Sequence, residues 1–281
     1  MSIKLGLAIL LLLSLTAAFY FDPPNERSPL SVQRNATTEH PHLKLMTWNI
    51  GYAALEDDTR AHSSDLSAVA ETILKSSPDA VALQELADPS QLELLIDQLG
   101  RRYRGFTGRM NRNDRVEAVL VKDTAAQFAG VPTFRADAAS AVFHVRAGTQ
   151  LREIVFISAH ADAYSAARRR RYTEQVADWA TARLKPGTLV LLAGDFNFEL
   201  NADKETNFFT DNVKHDSEAY SYLLRFFRDL GRDAGDTAIN ERRIDYIFAP
   251  RDSVLLVHAQ VLRGAAVGRM DHWPLLVEIE L

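Results

Sequence analysis

Residues 189–197 read Leu-Val-Leu-Leu-Ala-Gly-Asp-Phe-Asn. The first five residues form an apolar run of strand length and strand composition. Polarity then changes abruptly. In an extended chain, positions two apart point to the same side. Asp195 and Asn197 are therefore expected to face one site together, while Phe196 turns into the core. A carboxylate there can bind a metal or orient a water, and a neutral amide can hold a phosphoryl oxygen without adding repulsive charge. The plainer reading is a turn that ends a strand, since Gly-Asp and Asn are turn formers. This stretch alone leaves both readings open.

The same design recurs on both sides of it. Apolar, β-branched runs occupy residues 43–48, 80–83, 116–121, 141–145, 154–158, 244–248, 254–261 and 275–279. Five of them border a polar cluster: Asn49 before Gly51, Glu85 after Gln84, His160 with Asp162, Asp245 after Arg243, and Asp271-His272 before the last run. Strand ends are where a sheet holds functional groups rigidly. Each cluster also has a bland explanation. Asn49 can be a turn residue, and Glu85 can serve a helix dipole. Asp162 reads best as a cap for the helix that follows. Asp245 can pair with Arg242 or Arg243, and a lone His160 or an Asp271-His272 pair can be incidental.

Helical spacing appears between some of these runs. Leu66, Val69, Ala70, Ile73 and Leu74 share a face, with Ser63 or Ser64 as cap. Leu92, Leu95, Ile96 and Leu99 repeat the pattern, opened by Asp88-Pro89 and closed by Gly100. Tyr172, Val176, Trp179 and Leu184 mark a third helix. Tyr220, Leu223, Phe227 and Leu230 mark a fourth, between Ser217 and Gly231. Strands and helices do not alternate throughout, so a doubly wound sheet fits poorly. Two mixed sheets packed face to face, with helices outside, fit better.

Composition is that of an ordinary globular chain: 47% apolar, 25% charged, net charge −5. This is not a strongly basic nucleic-acid coat. With no cysteine, disulfides, thiolate metal sites and a lipidated Cys anchor are excluded. Residues 5–21 are apolar, broken by small or hydroxyl residues, and follow Lys4. They read as a signal peptide cleaved near Thr16-Ala17-Ala18, or as a short membrane anchor. Residues 22–42 read as a flexible linker and residues 43–281 as one catalytic domain. The expected location is outside the cytoplasm, either free or held at a membrane by the N-terminal segment.

Six motifs stand in order: TWNIG at 47–51, LQE at 83–85, SAHAD at 158–162, GDFN at 194–197, RIDYIF at 243–248 and MDHWPL at 270–275. In that order they resemble the endonuclease/exonuclease/phosphatase superfamily, across essentially all of 43–281. The resemblance implies an α/β fold, a four-layer sandwich of two mixed β-sheets with helices outside. It implies a metal-dependent phosphoester hydrolase using Mg²⁺ or Mn²⁺, most naturally a phosphodiesterase of nucleic acid or a lipid headgroup. A sugar or inositol phosphomonoesterase, or an inactive binding module, are the alternatives, and a monomer is expected. Glu85 would be the main metal ligand, with Asn49 beside it and Asp271 near. Asp195 would position or deprotonate the attacking water, and Asn197 would hold the phosphoryl group. Asp245 would hold His272 and raise its pKa, and His160 would serve phosphate or leaving group. Asp195 and His272 remain competitors for the base. His160 and His272 lack zinc-motif spacing, which favours a hard cation. The eight residues should converge in one cleft, with Glu85 within about 15 Å of His272.

Two departures narrow the resemblance. Abasic-site endonucleases carry tyrosine where His160 stands, and the phosphoinositide phosphatases have Trp-Cys-Asp-Arg where this chain reads Arg242-Arg243-Ile244-Asp245. The deoxyribonuclease and sphingomyelinase branches fit best. Glu117 could match a second acid of deoxyribonucleases, but reads better as a salt-bridged strand residue. The run Arg168–Arg171 reads as a solvated helix face, and Arg109, Arg112 and Arg115 as a loop suited to phosphate.

Overall fold

A computed structural model describes residues 41–51, 59–108, 115–123, 127–130, 138–204, 210–266 and 268–281. The leader at 1–21, nearly all of the linker at 22–42, and Arg109 and Arg112 lie outside the described residues. Residues Thr38–Leu281 make up one compact unit.

The strands are β1 (His42–Asn49), β2 (Ala80–Leu86), β3 (Tyr103–Thr107), β4 (Val116–Lys122), β5 (Gln127–Gly130), β6 (Ala138–Ala147), β7 (Gln150–His160), β8 (Thr188–Asp195), β9 (Phe227–Asp229), β10 (Asp245–Pro250), β11 (Leu255–Val261) and β12 (Leu275–Glu280). The helices are α1 (Thr59–Ser76), α2 (Pro89–Gln98), α3 (Ala166–Thr181) and α4 (Val213–Leu223). One six-stranded sheet runs β11-β12-β1-β2-β4-β3 and the other β5-β6-β7-β8-β10-β9. Within them β1–β2 and β7–β8 are parallel, and the neighbouring pairs are antiparallel.

Three apolar layers hold this together. Leu43, Leu45, Ala82, Val119, Phe156, Leu189, Leu191 and Ile247 meet between the sheets. Met46, Trp48, Val81 and Leu83 pack outward with the apolar faces of α1 and α2. Val155, Ile157, Val190 and Leu192 do the same with α3 and α4. The result is the expected four-layer α/β sandwich. Its driving force is burial of both faces of each sheet.

The period of two explains where the site must form. Along β1, Leu43 and Leu45 face the slot between the sheets, so Thr47 and Asn49 face it too. On β7, Ile154 and Phe156 lead to Ser158 and His160. On β8, Leu189, Leu191 and Ala193 lead to Asp195. Strands β4 and β10 run the other way and present Glu117 and Asp245 within their first two residues. Every one of these strands is apolar along the slot and polar at the same end.

Several local expectations are corrected. Helix α1 starts at Thr59, ahead of Ser63 and Ser64. The fourth helix begins at Val213 under an Asn212 cap, whose side chain accepts from the His215 N–H at 3.1 Å, and it ends at Leu223. Phe227 lies in β9, where Phe227, Arg228 and Asp229 alternate buried, exposed, buried. Apolar spacing of three and four overlapped a two-residue period there, and the short strand won. Leu184 lies beyond α3. Strands β3, β5 and β9 were not foreseen, being short or carrying glycine (Gly105, Gly130). The cap expected of Asp162 is displaced: it accepts from Tyr164 and Ser165 N–H at 2.9 and 2.8 Å, closing the turn before α3, while Asp211 accepts from Ala166 N–H at 2.7 Å. The run Arg168–Arg171 is not one solvated face, for Arg169 is fully buried.

Candidate active site

Backbone geometry brings Glu85 into the slot. By alternation from Val81 and Leu83 it would point away, into the helical layer. The β2–β4 register slips between Leu83 and Leu86, and Glu85 has φ +60°. This bulge turns the carboxylate inward, as bulges beside active sites do. Asn197, also left-handed at φ +54°, continues the slot-facing side beyond Asp195. Left-handed backbone at both non-glycine positions is strain that the surrounding structure must maintain.

Asn49 links the two sheets. Its Nδ2 donates to Glu85 Oε1 at 3.0 Å and to Asp195 Oδ2 at 3.1 Å, and its Oδ1 accepts from Gly51 N–H at 2.9 Å. His272 Nδ1 lies 2.9 Å from Asp245 Oδ2, and its Nε2 lies 3.8 Å from Asp195 Oδ2. His160 Nε2 sits 3.6 Å from Glu85 Oε1 and 3.7 Å from Asp195 Oδ2, with Nδ1 3.3 Å from Glu117 Oε1. Thus Glu85, Asn49, Asp195 and His272 form an unbroken chain of contacts, well inside the separation required of them. Asn197 N–H donates to Asp195 Oδ1 at 2.9 Å, and its Nδ2 to Ala161 O at 3.2 Å. Asp271 sits on the rim, 40% exposed, with Oδ1 4.0 Å from His272 Nε2.

Supporting bonds fix these groups. Trp48 Nε1 donates to His272 O at 3.2 Å, tying the last loop to β1. Thr237 Oγ1 accepts from the N–H groups of Ile244 and Asp245 at 3.1 and 3.0 Å. Beneath the site, Thr47 Oγ1 donates to Gln84 Oε1 at 3.4 Å, Gln84 Nε2 to Ser158 Oγ at 2.8 Å, and Ser158 Oγ to Leu83 O at 2.8 Å. This buried relay crosses from one sheet to the other.

Electrostatics follow from the crowd of carboxylates. Burial pulls the His160 imidazole down, but the hydrogen bond to Glu117 and the charges of Asp195 and Glu85 prevail and hold its pKa up to about 10. For His272, burial is again outweighed, by Asp245 first and then Asp195 and Asp271, and its pKa rises to about 10. Both shifts favour the protonated ring, and a divalent cation among these carboxylates would oppose them. Asp245 Oδ1 is buried and finds no hydrogen-bond partner among the described residues.

The donors suit a hard cation. Asp195, Asp245 and His272 offer ligand atoms within 4.8 Å of one another, but Asp245 and His272 are bonded to each other, and Glu85 and Asn49 lie outside this group. A Cβ placed on Gly51 would come 2.5 Å from Glu85 Oε2 and 3.0 Å from Asn49 Oδ1, so these two oxygens converge on one spot beside a residue without a side chain. Several oxygen donors, few carboxylates committed elsewhere and no sulfur fit Mg²⁺ or Mn²⁺. A separate cavity of about 610 Å³ lies between β9 and β11 and contains none of these residues.

Glu117, read from the sequence as a salt-bridged strand residue in preference to a second acid, is indeed paired, and its partner is His160 of the site. It is fully buried against His160, and the visible signal was its place in the strand: with Val119 and Val121 facing the slot, Glu117 must face it too. Gln84 was quoted only as part of a motif, and its cross-sheet role depends on Ser158, far away in the chain.

Residues 46–268 match the Endonuclease/Exonuclease/phosphatase family, and the chain belongs to it. Members are hydrolases, phosphodiesterases or phosphatases, that generally use divalent metal ions. No curated protein matches in sequence. Among solved structures, a humanized Danio rerio TDP2 carrying 14 mutations superposes with TM-score 0.64 at 17% identity, covering 85% of this chain and 99% of its own. An endonuclease/exonuclease/phosphatase from Bacteroides vulgatus gives 0.63 at 18%, covering 86% and 99%. A mannosyl-6-phosphatase of Bacteroides thetaiotaomicron VPI-5482 gives 0.64 at 17%, covering 85% and 100%.

Proposed function

We propose that this family member is a divalent-metal-dependent phosphodiesterase acting on nucleic acid or on a phosphodiester lipid headgroup. The observation that carries the reading is the bridge made by Asn49 between Glu85 on one sheet and Asp195 on the other, with the Asp245–His272 pair alongside. A Mg²⁺ or Mn²⁺ ion held by Glu85 and Asn49, with Asp271 near, would neutralise the phosphoryl oxygens. Asp195 aims the attacking water or takes its proton. Asn197 holds the phosphoryl group through its amide. Asp245 fixes the His272 ring so that Nε2 faces the reacting phosphate; in its neutral form this nitrogen competes with Asp195 for that proton, and as the imidazolium it would donate to a phosphoryl oxygen. His160, steadied by Glu117, donates to a phosphate oxygen or to the leaving oxygen.

The preference for a diester rests on sequence: residues 242–245 read Arg-Arg-Ile-Asp where the phosphoinositide phosphatases carry Trp-Cys-Asp-Arg. The apolar run at 5–21 supports delivery outside the cytoplasm, free or tethered to a membrane.

Hydrolysis of bis(p-nitrophenyl) phosphate and of p-nitrophenyl phosphate, each with Mg²⁺ or Mn²⁺ and with EDTA, tests this. Metal-dependent release from the diester in preference to the monoester is the expected result. Preference for the monoester would replace the reading with a phosphomonoesterase. Release from neither would point to a binding module.

A further inference from the structure

Three of the four consecutive arginines at 168–171 resolve into separate jobs. Arg168 pairs with Asp162 at 2.5 Å, and Arg170 pairs with Glu174 and Glu218. Arg169 is fully buried on the inner side of α3. Its Nε and Nη2 donate to Asp216 Oδ1 and Oδ2, both at 2.8 Å, in the two-pronged geometry that only a guanidinium offers. Nη2 also donates to Thr210 Oγ1 at 2.7 Å, and Nη1 to Asp162 O at 2.9 Å.

Those contacts reach both loops that carry the phosphate-facing groups. Asp162 follows His160 by two residues. Asp216 Oδ2 accepts in turn from Glu199 N–H at 3.2 Å, two residues beyond Asn197. The two loops also touch directly, through Ala161 N–H to Asp195 O at 2.9 Å and Asn197 Nδ2 to Ala161 O. Asn197 is in the left-handed region, a conformation that the backbone around it must hold. Arg169 and Asp216 clamp that backbone from behind without touching the site.

We propose that the Arg169–Asp216 pair is a positioning device: it sets the spacing of the His160 loop and the Asn197 loop and so the aim of both side chains at the phosphoryl group. This rests on the phosphodiesterase reading. A shift of about 1 Å in such groups can cost on the order of 100-fold in rate. Glu85 and Asn49 stand on the opposite sheet and are untouched by the clamp.

The test uses the full chain with Mn²⁺ and bis(p-nitrophenyl) phosphate. Arg169→Lys keeps the charge and loses the two-pronged bond. The double change Arg169→Met with Asp216→Leu removes both charges, leaving neither stranded in the interior. Both are compared with wild type at equal folded protein, judged by circular dichroism. Expected is a fall in kcat of about 10- to 100-fold in whichever variant folds, with the Mn²⁺ concentration for half-maximal rate within twofold of wild type. Amide hydrogen exchange should also quicken at Ala161 and Glu199 in the metal-free variants. A folded variant with kcat within twofold of wild type overturns the inference, and so does loss of both changes to folding alone, which would assign the pair to stability. Absence of any metal-dependent hydrolysis by wild type would instead overturn the phosphodiesterase reading, and exchange at Ala161 and Glu199 would still report whether the clamp orders the loops.

Discussion

The slot between the two sheets has two ends made from the same strands, and they differ in kind. At one end Leu43, Leu45, Ile154, Phe156 and Leu189 meet in an apolar layer. At the other, Asn49, Glu117, Asp195, Asp245 and His272 are almost as deeply buried but polar or charged. Burying apolar area stabilises a fold, and burying charge opposes it unless the charges are paired. The polar end is maintained by the apolar end. A sheet lets two such regions coexist because each strand fixes its side chains along a rigid line, so stability can be concentrated at one end and reactivity at the other.

The sharpest way to break that division is to remove a reactive group. His272→Ala should lower kcat/KM for a phosphodiester by about 1,000-fold or more at equal folded protein, in the range lost with general acid–base groups. Rate assays on the folded variant check this. A loss below tenfold would show that the polar end is not the reacting centre.

Next comes the apolar end. Phe156 is fully buried among residues from both sheets. Phe156→Ala should cost about 3–5 kcal/mol of stability, read from urea unfolding, while the folded fraction keeps its kcat. An equal fall in kcat would mean that the two ends are not separable.

The smallest effect lies at the boundary between them. Gln84 joins the sheets through Thr47 and Ser158, and Gln84→Met leaves a buried hydroxyl without its acceptor. A loss of about 1–3 kcal/mol is expected, with the rate reduced less than in His272→Ala. No change in either would show that the relay is dispensable.

Much of this was legible in the chain. Strand alternation told that Asp195 and Asn197 share a face, and the slot-facing positions of β1, β7 and β10 follow the same rule. The structure brings Asn49, Glu85, His160, Asp195, Asp245 and His272 together, with Asn197 beside Asp195 and Asp271 on the rim. Glu85 was found by its motif only: alternation alone would have sent it to the wrong side, because a bulge in β2 depends on its pairing with β4, and pairing is not written locally. Phe227 misled for a related reason, since helix and strand periods overlap over a few residues and tertiary packing chooses. Arg169 was hidden among identical neighbours. Which of four arginines is buried depends on the helix rotation that seats Ala166, Thr173, Val176 and Ala177 inward.

In the proposed mechanism labour divides across the slot: Glu85 and Asn49 would hold the cation, and Asp195 with Asn197 would handle water and phosphate. The most direct test is the rate of bis(p-nitrophenyl) phosphate hydrolysis across a Mn²⁺ titration for wild type, Glu85→Gln and Asp195→Asn. Glu85→Gln is expected to need at least about tenfold more Mn²⁺ for half-maximal rate and to recover activity as the metal is raised, whereas Asp195→Asn should stay slow at every concentration. Unchanged Mn²⁺ dependence in Glu85→Gln, or recovery of Asp195→Asn at high Mn²⁺, would contradict that division.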